Sequence, residues 1–295
     1  MKKLFMTILV MMMLVGCAST ETVDLSANTP NPTKETTTAT TDRLEQIKQN
    51  GKLVVATSPD YAPLEFIDTS KSGQDQYVGS DMALARHIAQ QLGVELEIKA
   101  MDFGMVLSSV DLGQVDLAIA GLGYEPERQN NFEMSIGYNQ EGESGCQGLM
   151  VKADEYDQYQ SLDDFADKKI IAQSGSLQEG YVKSQLPEAE LQLVSTLDLA
   201  VMSLLSDKVD AFACSCDQMK AYEKNYSDIK MSSVEFDTTA GSEYAGNIVL
   251  IQKGQENLLN EVNAIIEEVN EQGLYENWSK EAKELAKDLG LEFEE

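Results

Sequence analysis

The chain has 295 residues and a formal net charge of −28, from 50 acidic and 22 basic side chains. At roughly 100–200 residues per domain this length predicts two domains, and an apolar fraction of 42% is enough to bury their cores. Phosphate backbones and anionic headgroups repel so acidic a protein, which argues against nucleic-acid partners and requires a separate anchor for any membrane contact.

Residues 1–16 have the pattern of a secretory signal. Two lysines precede an apolar run, Leu4 to Val15, that is too short to span a bilayer comfortably. The run ends in Leu14-Val15-Gly16-Cys17, which resembles a bacterial lipobox, so we expect a lipid on Cys17. The alternative is an ordinary signal peptide followed by an incidental cysteine. Residues 17–41 would then be the lipid anchor and a disordered, Thr-rich tether.

From residue 42 onward, helix and strand signals alternate. The predicted elements of the first unit are a helix at 42–49, a strand at 52–57, a helix at 81–93 capped by Asp81, a strand at 94–98, a helix at 103–112 and a strand at 115–120. This βαβαβ order implies a parallel sheet with right-handed crossovers.

The pattern restarts after residue 150, which predicts a second α/β unit. Its predicted elements, with the closing part of the chain, are a helix at 161–167, a strand at 169–173, a helix from 176, a strand at 191–195, a helix ending at 205, a strand at 209–214, a helix at 217–226, a strand at 248–251 and helices at 256–271 and 274–289. Two units with the same order of elements indicate two lobes.

Side chains typical of catalytic and metal sites are scarce. The one histidine, His87, lies on the polar face of its predicted helix, which argues against His-based catalysis and His-ligated metals. The chain has neither a Walker A loop nor a GxGxxG fingerprint, and Cys214-x-Cys216 has the wrong spacing for a zinc ribbon. We therefore expect a protein that is not an enzyme and needs no cofactor or metal.

Arg128 is one of three arginines and follows a buried strand and the Gly-rich turn 121–127. Ligands of α/β proteins bind outside the carboxyl ends of parallel strands. A guanidinium there can hold a carboxylate with two parallel hydrogen bonds. The alternative is a structural salt bridge to Glu125, Glu127 or Glu133.

The segment 173–179 joins a strand end to a helix start, with Ser174 or Ser176 as N-cap. A helix N-terminus suits a carboxylate, although the same Ser-x-x-Glu pattern also describes a plain capping box. Tyr61 and Phe103 likewise follow strand ends, where an aromatic ring can stack on a ligand or belong to the core.

In this order, these features resemble the family 3 extracellular solute-binding proteins, the polar amino-acid receptors of bacterial ABC importers. The resemblance runs from about Leu44 to Trp278. The segments that carry it are 51–57 with Asp60-Tyr61-Ala62-Pro63, 115–121 with Glu127-Arg128, 173–179, Lys208-Val209-Asp210-Ala211, and 262–275.

The resemblance implies an α/β fold with two lobes, the type II periplasmic-binding-protein fold, in which two hinge strands flank a ligand cleft. One lobe would comprise 42–149 plus 247–295, and the other 150–246. The protein would capture a small amino-acid-like carboxylate outside the cytoplasm by closure of the cleft. Its partners would be an ABC permease and ATPase, with no nucleic acid, and it would act as a monomer anchored to the cell membrane by its lipid.

The resemblance also assigns ligand contacts. Arg128 would hold the α-carboxylate, helped by backbone N–H groups near Gly123 and Leu177. The ligand would pack on Tyr61 and Phe103, and its α-ammonium would face backbone carbonyls near Ala120 and Gly121. The further contacts are Tyr61, Phe103, Ala120, Gly121, Gly123, Ser176 and Leu177.

Two positions depart from the family. Gly123 stands where a hydroxyl residue is usual, and Ser215 stands where the family has an Asp that pairs with the ligand ammonium. Asp217, or an acid from Glu141-Gly142-Glu143, would have to replace that carboxylate. The same acids would supply the catalyst in the first alternative function, a cyclohexadienyl dehydratase-like enzyme on this fold. The second alternative is a ligand sensor that acts in trans on a membrane partner.

Three cysteines remain after Cys17 is modified, too few for a disulfide scaffold. Cys214 and Cys216 would project from the same face of a strand, which makes a mutual bridge awkward. We expect a Cys146–Cys216 bridge that ties the two lobes beside the hinge. The alternative is three reduced thiols, with Cys214 buried as a small apolar residue.

Overall fold

The chain forms two five-stranded sheets, each covered by helices, in a computed structural model that describes residues 42–138, 145–238 and 246–291. The strands are β1 (Lys52–Thr57), β2 (Phe66–Ile67), β3 (Tyr77–Val78), β4 (Glu95–Ala100), β5 (Leu117–Ala118), β6 (Phe132–Met134), β7 (Gln147–Lys152), β8 (Lys169–Gln173), β9 (Glu190–Val194), β10 (Ala211–Ser215), β11 (Ile229–Glu235) and β12 (Leu250–Gln252). The α-helices are α1 (Arg43–Asn50), α2 (Ser80–Leu92), α3 (Phe103–Asp111), α4 (Leu177–Gln185), α5 (Leu197–Leu205), α6 (Cys216–Asn225), α7 (Glu256–Gln272) and α8 (Leu274–Asp288).

The first sheet has the strand order β4-β1-β5-β12-β6, and with its helices it forms the first lobe. β1 pairs in parallel with β4 and β5, whereas β12 is antiparallel to β5 and β6. One face is buried by α2 and α7, because Leu84 and Ile88, like Val262 and Ile266, recur four residues apart on one side of each helix. The closing part of the chain therefore completes the first lobe.

The second sheet has the order β11-β7-β10-β8-β9, and with α4, α5 and α6 it forms the second lobe. β8 is parallel to β9 and β10, while β7 is antiparallel to β10 and β11. Side chains of β7 alternate between the two core clusters, Leu149 and Val151 on one face and Met150 on the other. Since β7 begins at Gln147, the second sheet extends across the predicted lobe boundary at residues 149 and 150.

The chain passes between the sheets twice, from β6 to β7 and from β11 back to β12. The predicted hinge strands fall on these passages, and parts of both lie outside the described residues. At the described ends, Tyr138 and Asn247 form an antiparallel bridge, and Phe236 N–H donates to the Gln147 carbonyl at 2.8 Å. Among the described residues, no helix is both long and apolar enough to cross a membrane.

Several predicted elements differ from those observed. The strand predicted at 115–120 pairs only over Leu117–Ala118, the helix predicted at 161–167 is a 3-10 turn at Leu162–Phe165, and β6 and β11 were not predicted. Asp81 does not cap α2. The N-cap is Gly79, with a φ of 120°, and the Asp81 carboxylate points into the core, where other donors bind it.

Candidate functional site

A cavity of about 550 Å³, its mouth included, lies between the two lobes. Most of the segments that line it follow the carboxyl ends of β1, β4, β5, β8 and β9, as expected for an α/β protein. Its lining includes eight residues predicted to contact a ligand: Tyr61, Phe103, Ala120, Gly121, Gly123, Arg128, Ser176 and Leu177. It also includes residues that were not predicted: Asp60, Glu65, Gln147, Gln173, Gln178, Leu197 and Cys214.

Arg128 is 7% exposed, and its guanidinium binds groups on both sides of the cavity. Nη1 donates to the Gly123 carbonyl at 2.9 Å, Nη2 donates to the Gly175 carbonyl at 3.1 Å, and Nε pairs with Glu125 at 3.2 Å. Burial lowers the pKa of the guanidinium and Glu125 opposes this shift, but arginine remains charged. Counting contacts with the described residues, two of the five N–H donors remain for a ligand carboxylate.

The start of α4 faces Arg128 from the second lobe. The Ser176 hydroxyl accepts from the Glu179 backbone at 3.2 Å, and the Glu179 carboxylate accepts from Gly175 N–H at 2.6 Å, so the segment is capped as predicted. A Cβ on Gly123 would lie 2.7 Å from a Leu177 methyl group. The lobes approach closely here, and the Leu177 side chain would have to shift to admit a larger residue at position 123.

Neither Ser215 nor Asp217 lines the cavity. Ser215 is 2% exposed and caps α6, and its hydroxyl lies 2.8 Å from the Tyr61 hydroxyl of the other lobe. Asp217 lies in the first turn of α6, where it is 53% exposed and pairs with Lys220 at 3.6 Å. In this position the Asp217 carboxylate faces solvent and does not reach the cavity, contrary to the prediction.

Two carboxyl groups that do line the cavity lie on either side of the Tyr-Ala-Pro-Leu segment. Asp60 accepts hydrogen bonds from Gln173 Nε2 at 3.0 Å and from Leu197 N–H at 2.8 Å, both in the second lobe. Burial raises the pKa of the Asp60 carboxyl above its ordinary value. Glu65 is 1% exposed and reaches the cavity from the first lobe.

A buried hydrogen-bond network holds Glu65 and the Gly121 turn in place. Asp81 accepts from Gly121 N–H at 2.7 Å, from the Tyr138 hydroxyl at 2.9 Å and from the Tyr275 hydroxyl at 2.6 Å. The Glu65 side chain also interacts with Asp81. Burial raises the pKa of Asp81, and the hydrogen bonds oppose this shift.

The predicted aromatic contacts serve the core as well as the cavity. Phe103 begins α3, is 9% exposed and packs with Val106. The Tyr61 ring lies against Gly121, where a Cβ would be 2.9 Å from a ring carbon and where φ is 56°. Glycine at this position therefore allows the ring to close one wall of the cavity.

Cys146 and Cys216 form a disulfide with a Cα–Cα distance of 5.4 Å, and Cys214 is a buried free thiol. Both bridged residues adjoin the β7–β10 pair, in which Gln147 lies opposite Ser215. The bond therefore ties two elements of the second lobe and does not tie the lobes together as expected. Cys17, Glu141 and Glu143 lie outside the described residues.

Residues 53–282 match the bacterial extracellular solute-binding proteins, family 3. The chain belongs to this family. It is 29% identical to the arginine-binding extracellular protein ArtP of Bacillus subtilis. The match extends over 231 residues, which are 78% of this chain and 85% of that protein.

Solved structures of related solute-binding proteins have the same two-lobed fold. An amino-acid ABC transporter substrate-binding protein of Streptococcus pneumoniae, bound to L-arginine, is 34% identical with a TM-score of 0.71, covering 81% of this chain and 96% of that one. An ancestral amino-acid-binding protein, a precursor of cyclohexadienyl dehydratase, is 25% identical with a TM-score of 0.68, covering 81% and 98%. The recognition of the family and of its type II fold from sequence motifs is thereby confirmed.

Several cavity residues of this solute-binding protein that were not predicted lie close to predicted ones in the sequence. Asp60 and Glu65 lie within five residues of Tyr61, and Gln173 ends the strand before Ser174. The available signal was that a polar residue at a parallel strand end belongs to the ligand-binding edge. Gln147 and Gln178, whose side chains hydrogen-bond to each other at 2.5 Å, carry no comparable signal.

Proposed function

We propose that this solute-binding protein is the substrate-binding component of an ABC importer and captures a cationic amino acid, with L-arginine the first ligand to test. The observation that carries the proposal is that one cavity is lined by both a buried arginine, Arg128, and a buried glutamate, Glu65. Such a cavity offers a cation to a carboxylate and an anion to a second cation.

Arg128 supports binding of the α-carboxylate. Its contacts to Gly123 and Gly175 fix the plane of the guanidinium and leave donors for a carboxylate. The helix start at Ser176 and Leu177 lies beside it and presents N–H groups and the positive end of the helix dipole. The carboxylate would therefore sit between the two lobes.

The charge of the rest of the cavity favours a ligand that carries an extra positive charge. With the α-carboxylate on Arg128 and the α-ammonium at the backbone carbonyls near Ala120 and Gly121, the ligand side chain would meet Glu65. A guanidinium or ammonium on that side chain would match the Glu65 carboxylate. The chain charge of −28 attracts cations over a longer range and should speed their capture.

The comparisons support the same ligand class. Both ArtP of Bacillus subtilis and the arginine-bound protein of Streptococcus pneumoniae are arginine-binding by name or by bound ligand. A thermal-shift and calorimetric panel of arginine, lysine, histidine, glutamine, glutamate and cystine tests the proposal. We expect the largest stabilisation from arginine or lysine. A ligand present at 100 times its Kd adds about 2.7 kcal/mol to the free energy of unfolding. Stabilisation by glutamate and not by the cationic amino acids would overturn it.

Replacing Glu65 with glutamine is expected to weaken arginine binding at least tenfold, about 1.4 kcal/mol or more. The change removes the negative charge, yet the new amide can still donate to Asp81 and keep the buried network. Titration calorimetry of wild type and variant measures the effect. Glu95→Gln on the exposed side of β4 is the matched control and should bind normally. Unchanged arginine affinity in the Glu65 variant would remove Glu65 from the site.

We propose further that Cys17 carries a lipid that anchors the mature protein to the outer face of the cell membrane. The proposal rests on the apolar run and Leu-x-Gly-Cys order of residues 4–17. Cys17→Ala should release the protein from the membrane fraction or block its processing, as followed by cell fractionation and by mass analysis of the N-terminus. A Cys17→Ala protein that is processed normally and stays in the membrane would contradict the anchor.

An enzyme on this fold is the second candidate, since a precursor of cyclohexadienyl dehydratase is a structural neighbour. Glu65 is a described carboxyl group that lines the cavity, and a general acid or base for such a reaction would have to lie there. Turnover of prephenate by the purified protein would establish that activity. We propose binding alone, because Arg128 and Glu65 match the carboxylate and the side-chain cation of a cationic amino acid.

A further inference from the structure

The two lobes are joined across the cavity by direct hydrogen bonds between protein groups. Most come from a three-residue segment directly after β1, residues 60–62 of the first lobe. The pairs are Asp60 with Gln173 and with Leu197, Tyr61 with Ser215 at 2.8 Å, the Ala62 carbonyl with Gln218 at 2.6 Å, and Arg128 with the Gly175 carbonyl at 3.1 Å.

Asp60 is the most connected group in this set. Its Oδ2 accepts from Gln173 Nε2 at 3.0 Å and from Leu197 N–H at 2.8 Å, while its Oδ1 accepts from the Ser58 hydroxyl at 2.8 Å. The Gln173 amide also donates to the Ser195 carbonyl at 3.2 Å. One carboxyl group of the first lobe therefore binds the end of β8 and the segment that leads into α5.

Leu197 is the first residue of α5, and the first N–H groups of a helix have no partner within it. The N-cap of α5, Thr196, reaches only the Leu199 N–H, at 3.5 Å. Asp60 supplies the acceptor that Leu197 needs, from the other lobe. When the lobes separate, Asp60 and the start of α5 both lose this partner.

We propose that Asp60 is a positioning residue that stabilises the closed arrangement of the lobes by capping α5 from the first lobe, and that it does not bind the ligand ammonium. Three of the roughly four acceptor positions of its carboxylate are already used by protein donors.

The charge of Asp60 is not what this role requires. Burial, with a contribution from Asp198, raises the pKa of the Asp60 carboxyl, so closure of the lobes disfavours the ionised form. An asparagine would avoid that cost. Its amide oxygen can accept from Gln173 and Leu197, and its amide nitrogen can donate to the Ser58 hydroxyl. Asparagine at position 60 should therefore preserve the role of Asp60 in closure, whereas alanine should abolish it.

The test compares Asp60→Ala and Asp60→Asn with wild type by amide hydrogen exchange without added ligand and by calorimetry with L-arginine. We expect the alanine variant to exchange the Leu197 N–H at least tenfold faster and to bind arginine about tenfold more weakly. The asparagine variant should stay within threefold of wild type in both measurements. The matched control is Asp102→Ala, an exposed carboxylate of the first lobe directly before α3, and it should behave as wild type.

A counter-charge role for Asp60 predicts a different pattern. The asparagine variant would then lose arginine affinity as severely as the alanine variant, with Leu197 exchange unchanged, and this result would overturn the proposal. Unchanged exchange and affinity in Asp60→Ala would overturn it too. Gln173→Leu removes the other hydrogen bond from the second lobe to Asp60 Oδ2, which weakens closure, so it should accelerate Leu197 exchange even if the alanine variant folds poorly. The exchange readout needs no ligand, so it stands apart from the proposed ligand class.

Discussion

Arg128→Lys is expected to lower ligand affinity by well over tenfold, and Arg128→Ala by a hundredfold or more, about 2.7 kcal/mol. Lysine keeps the positive charge but cannot bind the Gly123 and Gly175 carbonyls, the Glu125 carboxylate and a ligand carboxylate in one plane. The loss should appear equally for every amino acid that binds, because all share the α-carboxylate.

Titration calorimetry with the best ligand of the amino-acid panel measures this effect. Arg86→Lys is the matched control, since Arg86 contacts the Tyr77 carbonyl on the exposed side of the first lobe. Thermal unfolding without ligand separates a loss of binding from a loss of folding. Unchanged affinity in the Lys variant would show that the ligand carboxylate binds elsewhere.

Removal of the Cys146–Cys216 disulfide is expected to lower the free energy of unfolding by about 2–4 kcal/mol. The bond closes a loop with a sequence separation of 70, which restricts the unfolded chain strongly. It also adjoins a backbone hydrogen bond from Cys216 N–H to the Cys146 carbonyl at 3.1 Å, at the point where the chain enters the second lobe. The second lobe should therefore lose more stability than the first.

Urea denaturation of the oxidised protein, the reduced protein and a Cys146→Ala/Cys216→Ala variant measures the contribution of the bond. The double variant should have the same free energy of unfolding as the reduced wild type, with or without reductant. This comparison separates the effect of the disulfide from any effect on Cys214. Peptide mapping without reductant establishes the pairing in exported protein. Two alkylated thiols in that map would show that the bond does not form.

The ligand-binding edge could be predicted from sequence because it follows from topology. Tyr61, Gly121 and Arg128 lie where parallel strands end, and a buried strand followed by a turn is visible in the residue pattern. The direction of a side chain within a connecting segment has no such periodicity. Asp60 belongs to a recognised motif and Glu65 follows it, but their position alone did not show that their side chains point into the cavity.

Two errors have different physical causes, a tertiary network for Asp81 and the position of a helix start for Asp217. Asp81 has the sequence of an N-cap, but its carboxylate is used in the core by Gly121 and two tyrosines, and Gly79 begins the helix. Asp217 follows the strand where the family has its aspartate, but α6 begins at Cys216 and turns Asp217 to the surface. Neither outcome can be inferred from spacing alone.

The affinities of L-arginine, agmatine and citrulline for the wild-type protein test the central claim most directly. Agmatine lacks the carboxylate that Arg128 should hold, and citrulline lacks the side-chain charge that Glu65 should face. We predict that each binds at least tenfold more weakly than arginine in titration calorimetry at one ionic strength. Agmatine binding as tightly as arginine would contradict the role of Arg128, and citrulline binding as tightly would contradict the cationic ligand.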